Sequence, residues 1–111
     1  MELNHELAQE ALILKPAGRL DSNTAQAFEK ALLEQLQAHP RVVLDLSGLD
    51  YVSSAGLRVL LIAAKQVKQS AGKLALCALQ PAIHQVFEMS GFLTILTVCD
   101  ARDEALARVK G

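Results

Sequence analysis

Four times along this chain an apolar run of strand length is followed by a segment with the period of an amphipathic helix, and that alternation leaves few folds open. The clearest run is Arg41–Leu46 (RVVLDL), apolar at nearly every position, as suits a strand covered on both faces. Ala11–Lys15 (ALILK) is similar and is ended by Pro16 and Gly18. Lys73–Ala78 (KLALCA) and Leu93–Val98 complete the series, and a weaker strand around Leu3–Ala8 forms an N-terminal hairpin with Ala11–Lys15. Strands joined through helices run parallel, with right-handed crossovers. The expected fold class is therefore α/β: a small, mostly parallel sheet of four or five strands with about four amphipathic helices. One exposed face on each helix predicts a single helical layer on the sheet.

The helices carry their own start and stop signals. After Gly18 comes Asp21, Ser22 and Asn23, all helix-starting residues, and Asn23 with Gln26 has capping-box spacing. Ala25, Phe28, Leu32 and Leu36 then share one face, with Leu33 beside them, and His39-Pro40 ends the helix. After a loop at Ser47–Val52 a second helix runs from Ala55 to about Ser70, with Leu57, Leu60, Leu61, Ala64 and Val67 inward and Gly72 at its C-terminus. Pro81 opens a third helix through Met89, with Ile83, Val86 and Phe87 inward, and Gly91 stops it. The fourth spans Asp100–Val109, with Asp100 as its cap.

A chain of 111 residues makes one domain, spanning 1–111. The core is aliphatic, because the chain has three phenylalanines, one tyrosine and no tryptophan. A formal charge of −1 and the lack of a basic stripe argue against a nucleic-acid reader. His5, His39 and His84 are scattered, and Cys77 and Cys99 lack metal-ligand spacing, so no metal or cofactor is expected. The apolar run Val59–Ala64 is too short for a bilayer span, and the polar start MELNHELAQE is unlike a secretory leader. A cytoplasmic protein with reduced thiols is the expectation.

The stretch Leu49–Leu61 (LDYVSSAGLRVLL) sets two serines where a loop becomes a helix. A nucleophile elbow needs Gly-x-Ser-x-Gly, but Val52 stands in place of the first glycine. No phosphate-binding glycine loop is present either, so no catalytic residue is assigned. Two readings remain. One serine caps the helix by accepting a backbone N–H. Alternatively, the pair is a modification site: a phosphate at a helix N-terminus meets the positive end of the helix dipole, so the fold tolerates it, while its charge repels a docked partner.

The segment "VVLDLSGLDYVSSAGLRVLL" resembles the signature of STAS domains, and most closely the stand-alone bacterial anti-sigma-factor antagonists. "GRLDSNTAQAFEKAL" and "GKLALCALQPAIHQVFEMSGF" are similar to two further family segments, in the right order. The resemblance implies a STAS-like fold and a phosphorylation-gated partner switch. An anti-sigma factor that is also a GHKL-type serine kinase phosphorylates the antagonist; the unphosphorylated form binds that factor and releases sigma; a PP2C-type phosphatase restores it. Aligned from Gly56 and Leu57, the phosphoacceptor falls on Ser54, with Ser53 as the alternative. Ser53 stands where the best-known members carry aspartate, and Ala55 replaces a small hydroxyl residue. By the same resemblance the partner-binding surface takes in Asp21, Ser22, Asn23, Ser53, Gly56 and Arg58. Helix capping is the other role open to Asp21, and simple solvation the other for Arg58. STAS domains also serve as structural subunits of lipid-transport or stress-signalling complexes, without this switch.

Overall fold

The computed structural model describes residues 1–110. Its elements in chain order are β1 (Glu2–Ala8), β2 (Ala11–Leu20), α1 (Ala25–Ala38), β3 (Arg41–Asp45), β4 (Leu49–Val52), α2 (Ser54–Gln69), β5 (Lys73–Cys77), α3 (Pro81–Met89), a 3₁₀ turn (Phe92–Thr94), β6 (Val98–Cys99) and α4 (Arg102–Val109). The strands form one six-stranded sheet in the order β1-β2-β3-β5-β6, with β4 pairing to β2. β1 and β2 are an antiparallel hairpin and every other pairing is parallel. The α/β class and the parallel crossovers are as the alternation predicts.

Four local expectations are corrected. Pro16 does not end β2, which continues to Leu20. The proline falls after the last residue paired to β3 (Leu14) and before the first paired to β4 (Gly18), where a missing ladder donor is tolerated. The expected loop at Ser47–Val52 contains β4, which makes the sheet six-stranded rather than four- or five-stranded. The segment Leu93–Val98 is mostly a 3₁₀ turn, and only Val98–Cys99 pairs with β5. At the end of α2 it is Ala71, not Gly72, that takes the left-handed conformation (φ 59°), while the Gly72 amide donates to the Val67 carbonyl at 2.9 Å.

The helices occupy both faces of the sheet, not one. Strand residues alternate in direction. Leu12, Leu14, Val42, Leu44 and Leu76 pack with α1, α2 and α3 around Phe28, Leu32, Leu60 and Phe87. Ile13, Val43, Ala75 and Cys77 point the other way and are covered by α4 through Ala105, Leu106 and Val109. This explains the unbroken apolar character of β3. It also buries both cysteines as free thiols. Burial pushes the Cys77 thiol up to about 11, so it is inert at neutral pH.

α4 is short, and an ion cluster fastens it to the sheet. Asp45 ends β3 and is almost fully buried. Its Oδ1 accepts the Ser47 amide at 3.0 Å, and its Oδ2 accepts Arg102 Nη2 at 2.7 Å and Nε at 3.2 Å. Arg102 Nη1 donates to Glu6 Oε1 at 2.9 Å, tying β1, β3 and α4 together. Burial pushes the Asp45 carboxyl up, but the Ser47 amide and the guanidinium outweigh it and hold the group below its ordinary range. Its stabilisation is therefore present above the unfolded carboxylate pKa and lost as pH falls through the lowered folded value. Arg102→Met should lower unfolding free energy at pH 7 by about 1–3 kcal/mol. In urea titrations that gap should narrow as pH falls below the ordinary carboxylate range and through the lowered folded value, where Asp45 becomes protonated even beside the arginine. A gap that stays constant down to pH 2 would show that the pair contributes through packing alone.

Candidate functional site

Two strand ends and two helix starts meet at one corner of the sheet. β2 and β4 run side by side and parallel, pairing Gly18 with Leu49, Arg19 with Tyr51 and Leu20 with Val52. Each strand feeds a helix, β2 into α1 and β4 into α2. Both connecting loops therefore emerge together, at the carboxyl ends of the strands, where open α/β sheets place their sites. The Ser53 amide donates to the Leu20 carbonyl at 2.9 Å and stitches one loop to the other.

The two serines have separate jobs. Ser53 is the N-cap of α2, with extended backbone (φ −94°, ψ 175°), and its Oγ accepts the Gly56 amide at 3.4 Å. Its carbonyl accepts the Leu57 amide at 2.9 Å. Ser54 is the first helical residue and is exposed. The amides of Ser54 and Ala55 belong to the first turn, where a helix has no internal acceptors to offer. Among the described residues no histidine is hydrogen-bonded to either serine, so neither hydroxyl has an adjacent base.

Gly56 sets how closely this corner packs. A Cβ there would lie 2.6 Å from Leu20 Cγ and 2.9 Å from Val52 Cγ2. Only glycine lets the first turn of α2 rest on the ends of β2 and β4. Gly56, expected in the docking surface, is buried and shapes the loop from beneath. The same contact turns α2, so that Gly56, Val59, Leu60, Ala63 and Val67 form its buried stripe. Leu57, Leu61 and Ala64, expected at the centre of that face, flank it.

The β2–α1 loop is built differently from the capping box expected of Asn23 and Gln26. α1 starts after Thr24, whose side chain makes no cap to the helix. Instead Asp21 Oδ1 accepts the amides of Asn23 at 2.9 Å and Thr24 at 3.3 Å, closing an Asx turn. Thr24 Oγ1 accepts the Asp21 amide at 3.0 Å and donates to the Arg19 carbonyl at 2.8 Å. The Asn23 amide does most to hold the Asp21 carboxyl below its ordinary range; partial burial opposes it, and the Thr24 amide and Arg19 add to it. Ser22 and Asn23 project from the tip of this turn and are exposed.

Sequence reasoning missed the other half of the surface. Tyr51 is 41% exposed, and the Arg19 guanidinium stacks 4.2 Å from its ring centroid. Arg19 also approaches Asp21 at 3.6 Å. Gln80, just before α3, donates to the Ser47 carbonyl at 3.0 Å and to Asp50 at 3.4 Å, fixing the loop that leads into β4. Arg58 is exposed, four residues after Ser54 and so on its face of the helix. Ser54, Arg58, Ser22, Asn23 and the Arg19–Tyr51 pair are thus all exposed on or beside the two stitched loops.

No helix among the described residues is long and apolar enough to cross a membrane, and no group of acidic, histidine or cysteine side chains there could hold a metal ion. The site carries exposed hydroxyl, amide and aromatic groups at paired loop ends. The STAS domain profile matches residues 2–105, and the chain belongs to the STAS family. BtrV of Bordetella bronchiseptica is 45% identical over 111 residues, covering 99% of this chain and 96% of BtrV. The anti-sigma F factor antagonist of Paenibacillus polymyxa is 29% identical over 112 residues, with 99% and 96% covered. Among solved structures, the anti-sigma factor antagonist SpoIIAA in its unphosphorylated form superposes with a TM-score of 0.76 at 22% identity, over 97% of this chain and 96% of that one. The phosphorylated form of the Bacillus protein gives 0.71 at 20%, over 98% and 100%.

Substitutions should separate the roles of the two serines. Ser53→Ala removes the cap and should cost up to about 1 kcal/mol, whereas Ser54→Ala should leave the thermal midpoint nearly unchanged. Gly56→Ala forces Leu20 aside and should cost about 1–3 kcal/mol. Equal midpoints for Ser53→Ala and Ser54→Ala would contradict the assignment of the cap.

Proposed function

We propose that this chain is an anti-sigma-factor antagonist switched by phosphorylation of Ser54. The observation that carries the reading is the division of labour at the helix start. Ser53 is engaged as the cap, and Ser54 stands exposed on the first turn without a structural task. The partner is an anti-sigma factor that is itself a GHKL-type serine kinase, and the setting is the cytoplasm. In the unphosphorylated form the stacked Tyr51–Arg19 pair, Ser22, Asn23 and Arg58 present the docking face. Asp21 supports that face by holding the turn.

Phosphorylation adds about −1.5 to −2 charges at Ser54. The helix dipole, the amides of the first turn and Arg58 one turn on favour that charge, so the fold survives it. A partner seated over the corner would instead have to desolvate a dianion, and it dissociates. A PP2C-type phosphatase resets the protein. The chain acts by binding, not by catalysis. SpoIIAA, which shares the fold, is known in both phosphorylated and unphosphorylated forms, and this supports the reading.

Incubation with ATP and the partner kinase, followed by peptide mapping, should place one phosphate on Ser54. Ser54→Ala should abolish it and Ser53→Ala should retain it. Label on Ser53, or on neither serine, would overturn the assignment; a stable complex without label would favour a structural STAS subunit. Tyr51→Ala should weaken the complex about tenfold or more if the aromatic anchors it, as measured by titration calorimetry.

A further inference from the structure

The short β6 leaves a gap in the sheet edge. It pairs only with Leu76 and Cys77, so the first three residues of β5 have no strand on that side. The chain that could have covered them, around Phe92–Thr94, is wound into a 3₁₀ turn instead. What remains is a cavity of about 670 Å³ between the C-terminal half of α2, the start of β5, the segment after the 3₁₀ turn and the last turn of α4. That volume lies within the roughly 300–1,000 Å³ of ordinary small-molecule sites.

Its walls divide by chemistry. Leu61, Leu74, Ile95 and Leu96 supply apolar surface, and Ile95 is 54% exposed at the opening. Lys65, Lys68, Lys73 and Arg108 are the charged residues lining it. The chain has 12 acidic residues against 11 lysines and arginines, yet no carboxylate lines this cavity. None of the four cations forms an ion pair among the described residues. Lys68 and Arg108 lie in the last turns of α2 and α4, where a cation also complements the helix dipole. Lys73 donates to the carbonyl of Lys110, the C-cap of α4, at 3.1 Å, so its charge also complements a helix end; Lys65 has no such explanation.

An apolar hollow with an unbalanced ring of cations fits one kind of occupant. We propose that this cavity binds a single-chain amphipathic anion, its acyl tail on the Leu61–Leu74–Leu96 wall and its carboxylate or phosphate head among the four cations. The site is separate from the Ser54 corner: along α2 its lining begins at Leu61, seven residues or about 10 Å of helix from Ser54, and reaches Lys68 at about 21 Å.

Titration calorimetry on the full chain with decanoate, decyl phosphate, 1-decanol and acetate tests this. Decanoate or decyl phosphate should bind saturably at one site, at least about tenfold more tightly than 1-decanol or acetate. The better of the two identifies the head group. Lys65→Glu should weaken that ligand about tenfold, while Lys30→Glu, the same charge change at an exposed position of α1, should not. Thermal unfolding of both variants checks that the fold is retained. The proposal is overturned by absence of saturable binding, by equal affinity for 1-decanol, or by equal effects of the two charge reversals. It is also overturned if the protein binds phosphatidylglycerol vesicles but neither monomeric anion, since that would be recognition of a membrane surface.

Discussion

The 2.9 Å hydrogen bond from the Ser53 amide to the Leu20 carbonyl joins the two loops on which the candidate site stands. It continues the parallel ladder of β2 and β4 by one step, so the two chains leave the sheet as a pair. The Asx turn at Asp21 and the cap at Ser53 then fix the direction of each loop. Gly56 brings α2 down onto Leu20 and Val52, and the hydroxyl of Ser54 is left as the exposed group on a rigid base. Functional side chains hold their geometry best on such element ends.

The rest of the domain keeps that base in place. β2 is long enough to pair with β3 through its first half and with β4 through its second. Its apolar side chains feed both cores: Leu12, Leu14 and Leu20 face the three-helix layer, and Ala11 and Ile13 face α4. α4 is a short helix with a modest apolar face, and the Asp45–Arg102–Glu6 cluster supplements its packing. A partly buried ion group of this kind favours one docking of α4 over others, because any slip leaves the Asp45 carboxylate buried without its cation.

How much of this could be read from the residues depended on how local each signal is. The buried face of α1 was legible: Ala25, Phe28, Leu32 and Leu36 are the residues that the spacing predicts. The start and end of α3 at Pro81 and Gly91 were legible for the same reason. The Ser53 cap was one of two open readings, and Ser53 does cap α2. α2 was placed correctly but turned wrongly. Residues 59–64 (VLLIAA) are apolar all round, so periodicity carries little information there, and the close approach at Gly56 decides the face. β4 was missed because LDYV is four residues long with two exposed, and its partner in β2 is distant in sequence. The Arg102–Asp45 pair spans 57 positions and has no local signature. The Tyr51–Arg19 stack was invisible for the same reason: it exists only because β2 and β4 are neighbours.

Ser54 is proposed to take a charge that the fold tolerates and the partner does not. The direct measurement uses protein carrying phosphoserine at position 54, compared with unmodified protein in urea unfolding and in binding to the anti-sigma factor. The prediction is a cooperative transition at nearly the same midpoint, with affinity reduced about a hundredfold or more, as expected when a dianion must be buried in an interface. A phosphorylated protein that unfolds early, or that binds as tightly as the unmodified one, would contradict it.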